Sequence, residues 1–244
     1  MANQLKPYIK HPRRQTEIRK SQSKRSVNPA VNDASSIQHL STNKQPDARK
    51  TALYILNSLD KGNKTLDSIL EAFSDKTDLL PKKDRSLLNA LVYGVIRWRG
   101  RLDYLIEHFS NTPLARINPK VLNIIRIGLF QIIFLSRIPV SAAVNTSVEL
   151  AKSFAAPWVI GFVNAILRNG SINFEKVSFP DPKKDPVSAI AAQSSFPKWL
   201  IKRWLHRYGP KETVQLCDAV NAIPPITIRT NTLKTTRDVL LNSL

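Results

Sequence analysis

From Asp47 onward, apolar positions recur at helical spacing. Pro46-Asp47 opens a helix whose face carries Ala48, Ala52, Leu53, Ile55, Leu56 and Leu59, and Gly62 stands just past its end, where a left-handed cap is favoured. Thr65 caps a second helix with Leu66, Ile69, Leu70 and Phe73 inward. Pro81 fits the first turn of a third, which runs through Leu87, Leu88, Leu91, Val92, Val95 and Ile96. Gly100 is expected to break the path before Leu102, Leu105, Ile106 and Phe109 continue it. Asn118-Pro119 signals the start of a very apolar helix through Val121, Leu122, Ile125, Leu129, Ile132 and Ile133. Pro139 precedes another with Ala142, Ala143, Val144, Val148 and Leu150. Pro157 starts the next, with Ile160, Val163, Ile166 and Leu167, and Gly170 is expected to end it. The pattern predicts a compact all-α bundle over 47–170.

The flanks read differently. Residues 1–46 have few large apolar side chains and no sustained period, so they are expected to be a disordered tail. Its basic residues come in clumps, Arg13-Arg14, Arg19-Lys20 and Lys24-Arg25. It reads either as a nucleic-acid-binding arm or as a solvated, solubilising tail. Residues 171–186, with Pro180, Pro182 and Pro186 among charges, read as a linker. Within 187–244, helices are expected from Pro197 to Tyr208 and from Pro210 to about Val220. Pro224-Pro225-Ile226-Thr227-Ile228-Arg229-Thr230-Asn231 follows, with the chain's best strand alternation. Thr236 then caps a helix over Arg237 to Leu244. One short strand makes no stable sheet, so the terminus reads as a cut inside an α/β unit.

Composition narrows the chemistry. The 244 residues hold 37 Lys plus Arg against 18 Asp plus Glu, a formal charge of +19. The excess is spread over the tail, the bundle and the C-terminal segment. A single cysteine excludes an internal disulfide, a thiolate zinc site and any mechanism needing two cysteines. The seven glycines are too scattered for a dinucleotide GxGxxG turn or a Walker loop. No apolar run approaches the ~18 residues of a membrane span. The N-terminus lacks the apolar block of a secretory signal, and reduced, cytoplasmic surroundings are the expectation.

Few residues point to catalysis. His11, His39, His108 and His206 have no metal-ligand spacing, and Cys217 reads as a small buried helical residue. The basic segments are more informative. Arg97-Trp98-Arg99-Gly100-Arg101 sets three guanidiniums around an indole, suited either to phosphates and bases or to helix ends around a core tryptophan. Lys198, Lys202, Arg203 and Arg207 form a basic face on the helix that also carries Trp199, Trp204 and Tyr208. Leu200, Trp204 and Tyr208, four residues apart, read as its core stripe. The cations read either as phosphate contacts or as a solvated face.

An ordered set of segments resembles a known family. ALVYGVIRWRGRLD over 90–103, LNIIRIGLFQIIFL over 122–135, IPVSAAVN over 138–145, VELAK over 148–152 and GFVNAILR over 161–168 resemble a NusB-like domain. Helix packing is an alternative account of their details: Gly94, Gly128 and Gly161 for close approach, Asn145 and Asn164 for buried backbone. SSFPKWL over 194–200 and PPITIRTNTLK over 224–234 resemble the linker and early RNA-binding subdomain of the bacterial 16S ribosomal RNA cytosine-C5 methyltransferase B family. The resemblance spans about residues 47–244, four fifths of the chain.

What the resemblance implies is an RNA-binding N-terminal portion of such an enzyme. The family uses S-adenosylmethionine and two cysteines, one attacking carbon 6 of cytosine. Cys217 lacks the family's flanking Pro and Ser-Gly, so no catalytic residue, cofactor or metal is assigned to this chain. RNA contacts are expected from Arg97, Arg99, Arg101, Arg126, Lys198, Lys202, Arg203 and Arg229, the last matching the family's Arg-x-Asn turn. The partners implied are 16S ribosomal RNA and a methyltransferase domain on a separate chain. The alternative is a NusB-like antitermination factor without enzymatic activity, with Arg49 and Lys50 in place of that factor's basic N-terminal stretch.

Overall fold

A computed structural model describes residues 47–153, 156–225 and 227–243, without the side chain of Lys76. The basic segment 1–46, and the nucleic-acid arm expected there, lie outside the described residues. Among the described residues the regular structure is helical. The bundle is α1 (Ala48–Leu59), α2 (Leu66–Ala72), α3 (Ser74–Asp78), α4 (Lys82–Arg97), α5 (Arg99–Phe109), α6 (Pro119–Phe134), α7 (Val140–Lys152) and α8 (Pro157–Asn173). A hairpin of α9 (Pro186–Ser194) and α10 (Lys198–Asn221) follows, then α11 (Arg237–Ser243).

The helix starts follow local chemistry. Asp47 Oδ1 accepts from the Arg49 amide at 2.8 Å, Thr65 Oγ1 from Ser68 N at 3.3 Å, and Asn118 Oδ1 from Lys120 N at 2.9 Å. Gly62 is left-handed, φ 73°, as its place beyond α1 requires. The bundle is organised on α6, whose residues 121–132 are all buried. A helix apolar all round belongs in the interior, and α6 packs against α1, α4, α5, α7 and α8. Its polar Gln131 is satisfied there, accepting from Arg49 Nε at 2.8 Å and donating to the Ile127 carbonyl at 3.1 Å.

Two expected helix breaks move. Trp98, not Gly100, separates α4 from α5 (φ −99°, ψ 15°), and Gly100 lies within α5. The Trp98 indole stacks on Phe134 at 4.8 Å, and Phe134 on Phe130 at 5.1 Å. Phe130 in turn lies over Gly94, where a Cβ would come within 2.0 Å of the ring. Gly170 does not end α8, which runs on to Asn173; it admits Leu129. Gly128 is closely approached by Leu167 and Ser147, but Gly161 faces open space, so only the first two meet the close-approach expectation. Asn145 is exposed and satisfies no buried backbone; Asn164 accepts from Arg168 Nε at 3.0 Å.

After α8, a 3₁₀ turn over Phe174–Lys176 leads to Val177, which is buried in the bundle core. Asp185 and Pro186 then start α9, with the Ser188 amide donating to Asp185 Oδ1 at 2.9 Å. The hairpin has a small core of its own, Ile190, Ala191, Ile201 and Cys217 backed by Phe196 and Trp204. Gly209 (φ 76°) and Pro210 kink α10 where two helices were expected. The expected strand over 224–231 is not formed among the described residues. A strand is defined by its ladder, and none of the described residues pairs with this segment. Thr236 Oγ1 accepts from Val239 N at 3.4 Å and starts α11.

Candidate nucleic-acid interface

The cations expected to meet RNA divide by their partners. Arg126, on the buried helix α6, is withdrawn from any surface role. Its Nε and Nη2 donate to both Asp103 oxygens, at 2.6 and 2.8 Å, and its Nη1 to Asn123 Oδ1 at 2.9 Å. Asn123 Nδ2 donates to Asp60 and Asn57 at 2.8 and 2.9 Å, and Arg99 Nη1 reaches Asp60 at 2.8 Å. Two carboxylates and two guanidiniums thus balance in a network joining α1, α5 and α6. This corrects the expectation for Arg126: its guanidinium, with 4% of the side chain exposed, cannot reach a phosphate without abandoning a bidentate pair.

Arg101 is also enclosed. Its guanidinium lies 5.8 Å from the Trp98 ring centroid and 5.5 Å from that of Phe179. Its Nε has no hydrogen-bond partner, and burial lowers its pKa. Phe179 is held in turn by stacking on Tyr104 at 5.0 Å, whose hydroxyl donates to the Ser178 carbonyl at 2.9 Å. Arg97, half-buried at the C-terminus of α4, complements the helix dipole. The Arg-Trp-Arg-Gly-Arg run therefore largely glues the α4–α5 corner, the reading in which Trp98 is core.

The α9–α10 hairpin is tied to that same corner. Ser195 ends α9 in the left-handed conformation (φ 63°, ψ 34°). Its Oγ accepts from the Gly100 amide at 2.8 Å and the Arg101 amide at 3.4 Å. Trp98 offers α5 no capping side chain, and Ser195, 95 residues beyond Gly100, supplies that cap. Gly100 is the residue that lets it approach, since a Cβ there would lie 3.2 Å from Oγ. Asn221 Nδ2, donating to the Ser194 carbonyl at 2.8 Å, clamps the far end of α10 to the same turn.

The remaining predicted cations are exposed on the C-terminal segment. Lys198, Lys202, Arg203 and Arg229 are all exposed, together with Arg207, which lies 5.4 Å over the Tyr208 ring. Lys198 is near Asp185, whose carboxyl is held below its ordinary value by Ser188 hydrogen bonds and, to a lesser degree, by Lys198. Lys202, Arg203, Arg207 and Arg229 make no ion pair among the described residues. Arg229 precedes a turn in which Asn231 Oδ1 accepts from Leu233 N at 3.1 Å. Tyr208, expected in the core, is 45% exposed and directly precedes the Gly209 kink. Trp199 is 66% exposed on the cationic face, one step off the Leu200–Trp204 stripe.

Cys217 is fully buried and burial pushes its thiol up, away from nucleophilic use. Among the described residues no group of His, Cys, Asp or Glu is placed to hold a metal. No described helix is long and apolar enough to cross a membrane.

Together these features define an all-α bundle carrying a docked, cation-faced helical hairpin. The chain belongs to the NusB family, which matches residues 46–171. Residues 196–244 match the family described as Methyltr_RsmF/B-like, ferredoxin-like domain. Among curated relatives, the probable ribosomal RNA small subunit methyltransferase B of Bacillus subtilis (strain 168) is 35% identical over 202 residues, covering 82% of this chain and 44% of that protein. The ribosomal RNA small subunit methyltransferase B of Escherichia coli O1:K1 / APEC is 30% identical, over 80% of this chain and 43% of that one. The chain thus spans less than half the length of these relatives. The crystal structure of PH0851 shares the fold, with a TM-score of 0.56 and 20% identity, covering 83% of this chain and 45% of that one.

Proposed function

We propose that this chain is the RNA-binding and positioning portion of a 16S ribosomal RNA cytosine-C5 methyltransferase. The observation that carries the reading is the order of its two matched segments, a NusB bundle followed by a ferredoxin-like methyltransferase segment, which relatives named as ribosomal RNA methyltransferases match along about 80% of the chain. The exposed, unpaired cations Lys202, Arg203, Arg207 and Arg229 all lie on the second segment and suit a phosphate backbone. Methyl transfer from S-adenosylmethionine needs a cofactor cradle and two cysteines. These residues supply neither, so that chemistry belongs to a catalytic domain, joined or separate, in the cytoplasm.

The test is binding of the 244-residue chain to a 16S fragment across a salt series. A protein contacting ~6–10 phosphates loses ~10³–10⁵ in affinity between 50 and 200 mM salt. Absence of binding at low salt, or indifference to salt, defeats the reading. Selective binding of a leader-type RNA together with a small ribosomal protein would favour an antitermination factor instead.

A further inference from the structure

The exposed face of α10 has a composition that solvation alone does not require. At about 100° per residue, Lys202, His206, Trp199, Arg203 and Arg207 fall in that order across an arc of about 140°, with Trp199 at its middle. All five are exposed, whereas Leu200, Ile201, Trp204 and Leu205 on the other side are buried or half-buried against α9 and the hairpin core. The arc extends about 12 Å along the helix from Trp199 to Arg207. No acidic residue occurs from Lys198 to Lys211, and Lys202, Arg203 and Arg207 make no ion pair.

We infer that this face is a single-strand RNA platform, on which an unpaired base stacks on the Trp199 indole while Lys202, Arg203 and Arg207 hold the flanking phosphates. The inference rests on the RNA-binding reading above and names the form of RNA recognised. An indole standing 66% in solvent is a costly surface unless something flat covers it. Duplex bases already stack on one another, so only an unpaired base offers a free face. The flanking cations select the rest of the ligand. A protein covering this face would have to bring a carboxylate for each of three unpaired cations or strand them, whereas a nucleic-acid backbone brings a negative charge with every nucleotide. Trp98 and Trp204, stacked on Phe134 and edge-on to Phe196, are occupied, and Trp158, 74% exposed on α8, has no Lys or Arg from Ser153 to Leu167 to hold a flanking phosphate.

The experiment uses the full chain, with an unstructured pyrimidine oligoribonucleotide and a fully paired duplex of equal length as probes. Affinity and tryptophan emission are read at low salt. Single-strand binding should quench emission in the native chain. W199A should lose about 5- to 100-fold in single-strand affinity, the span of base–aromatic stacking, with less than about twofold change for duplex. W199F, which keeps a stacking face, should retain most of the affinity while losing most of the quench. R203E should weaken both probes and lower the salt slope by about one. Thermal midpoints matching the native chain establish that the variants fold. The inference is overturned if W199A leaves single-strand affinity unchanged, or lowers both probes equally. It is also overturned if the oligonucleotide leaves Trp199 unquenched while a methyltransferase catalytic domain without RNA shields it. RNA binding that survives these failures leaves the general reading standing; a native chain that binds neither probe defeats both.

Discussion

The cap that Ser195 places on α5 can be tested with two substitutions at one position. Ser195→Ala removes the hydroxyl that accepts from Gly100 N at 2.8 Å and Arg101 N at 3.4 Å. Loss of an N-terminal cap costs about 0.5–2 kcal/mol. The Gly100 amide is exposed enough for water to replace the bond, which places the expected loss near 1 kcal/mol. For a chain of this length that is a drop of about 2–4 °C in the thermal midpoint. Ser195→Gly loses the same cap but relieves a left-handed residue (φ 63°), whose strain of about 1–2 kcal/mol outweighs the about 0.5–1 kcal/mol of extra backbone entropy that glycine loses on folding. The glycine variant should therefore fall close to the native chain and above the alanine variant. Urea denaturation gives the order, and hydrogen exchange at the Gly100 amide gives the locality, with about fivefold faster exchange in the alanine variant. Gly100→Ala should couple to it, because its Cβ would meet Oγ at 3.2 Å and the Ser195 Cα at 3.4 Å. If Ser195→Ala matches the native chain, or Ser195→Gly is the worse of the two, the cap does not hold the hairpin to the bundle.

Three further outcomes follow from the packing. Arg126→Ala should destabilise by about 3–5 kcal/mol in chemical denaturation, since it strands the Asp103 carboxylate, and adding Asp103→Ala should recover part of the loss. Gly94→Ala, whose Cβ would fall 2.0 Å from Phe130, should cost about 1–3 kcal/mol, while Gly161→Ala, in open space on α8, should stabilise by about 0.5–1 kcal/mol. Cys217 should react slowly with thiol reagents at neutral pH. Its thiol is raised in the fold by burial, so as pH climbs the unfolded chain ionises first. Its contribution to stability is full below about 9.0 and is lost as pH rises from there through the folded value.

Helix starts were readable because their signals are local. Asp47, Thr65 and Asn118-Pro119 bond amides two or three residues away, and a single chain carries that whole interaction. Helix α9 was missed although Asp185-Pro186 is the same kind of signal. Its small residues Ala189, Ala191 and Ala192 make little apolar contrast, and a third proline among charges looked like more linker. Gly100 and Gly170 misled for the opposite reason. A glycine inside a helix resembles a terminator unless the partner that crowds it is known, and those partners, Ser195 and Leu129, come from other helices. The strand over 224–231 has the right alternation, but a ladder depends on a second segment, which alternation cannot supply.

The interface was harder to read than the fold, because a formal charge counts guanidiniums without their partners. Arg99 answers Asp60, 39 residues earlier, and Arg126 answers Asp103, 23 earlier. Neither spacing corresponds to one turn of a helix, so nothing in the local sequence joins the pairs. Once they are formed, the bundle's most arginine-rich corner is spent on holding α1, α5, α6 and the 177–179 strap together. On α10, Lys202, Arg203 and Arg207 keep their charge unpaired, and no carboxylate follows along the helix until Glu212. Lysines and arginines become available to a ligand where tertiary structure declines to pair them. By that criterion the +19 sum says little by itself: Arg99 and Arg126 of the bundle are given to carboxylates, whereas Lys202, Arg203, Arg207 and Arg229 are not.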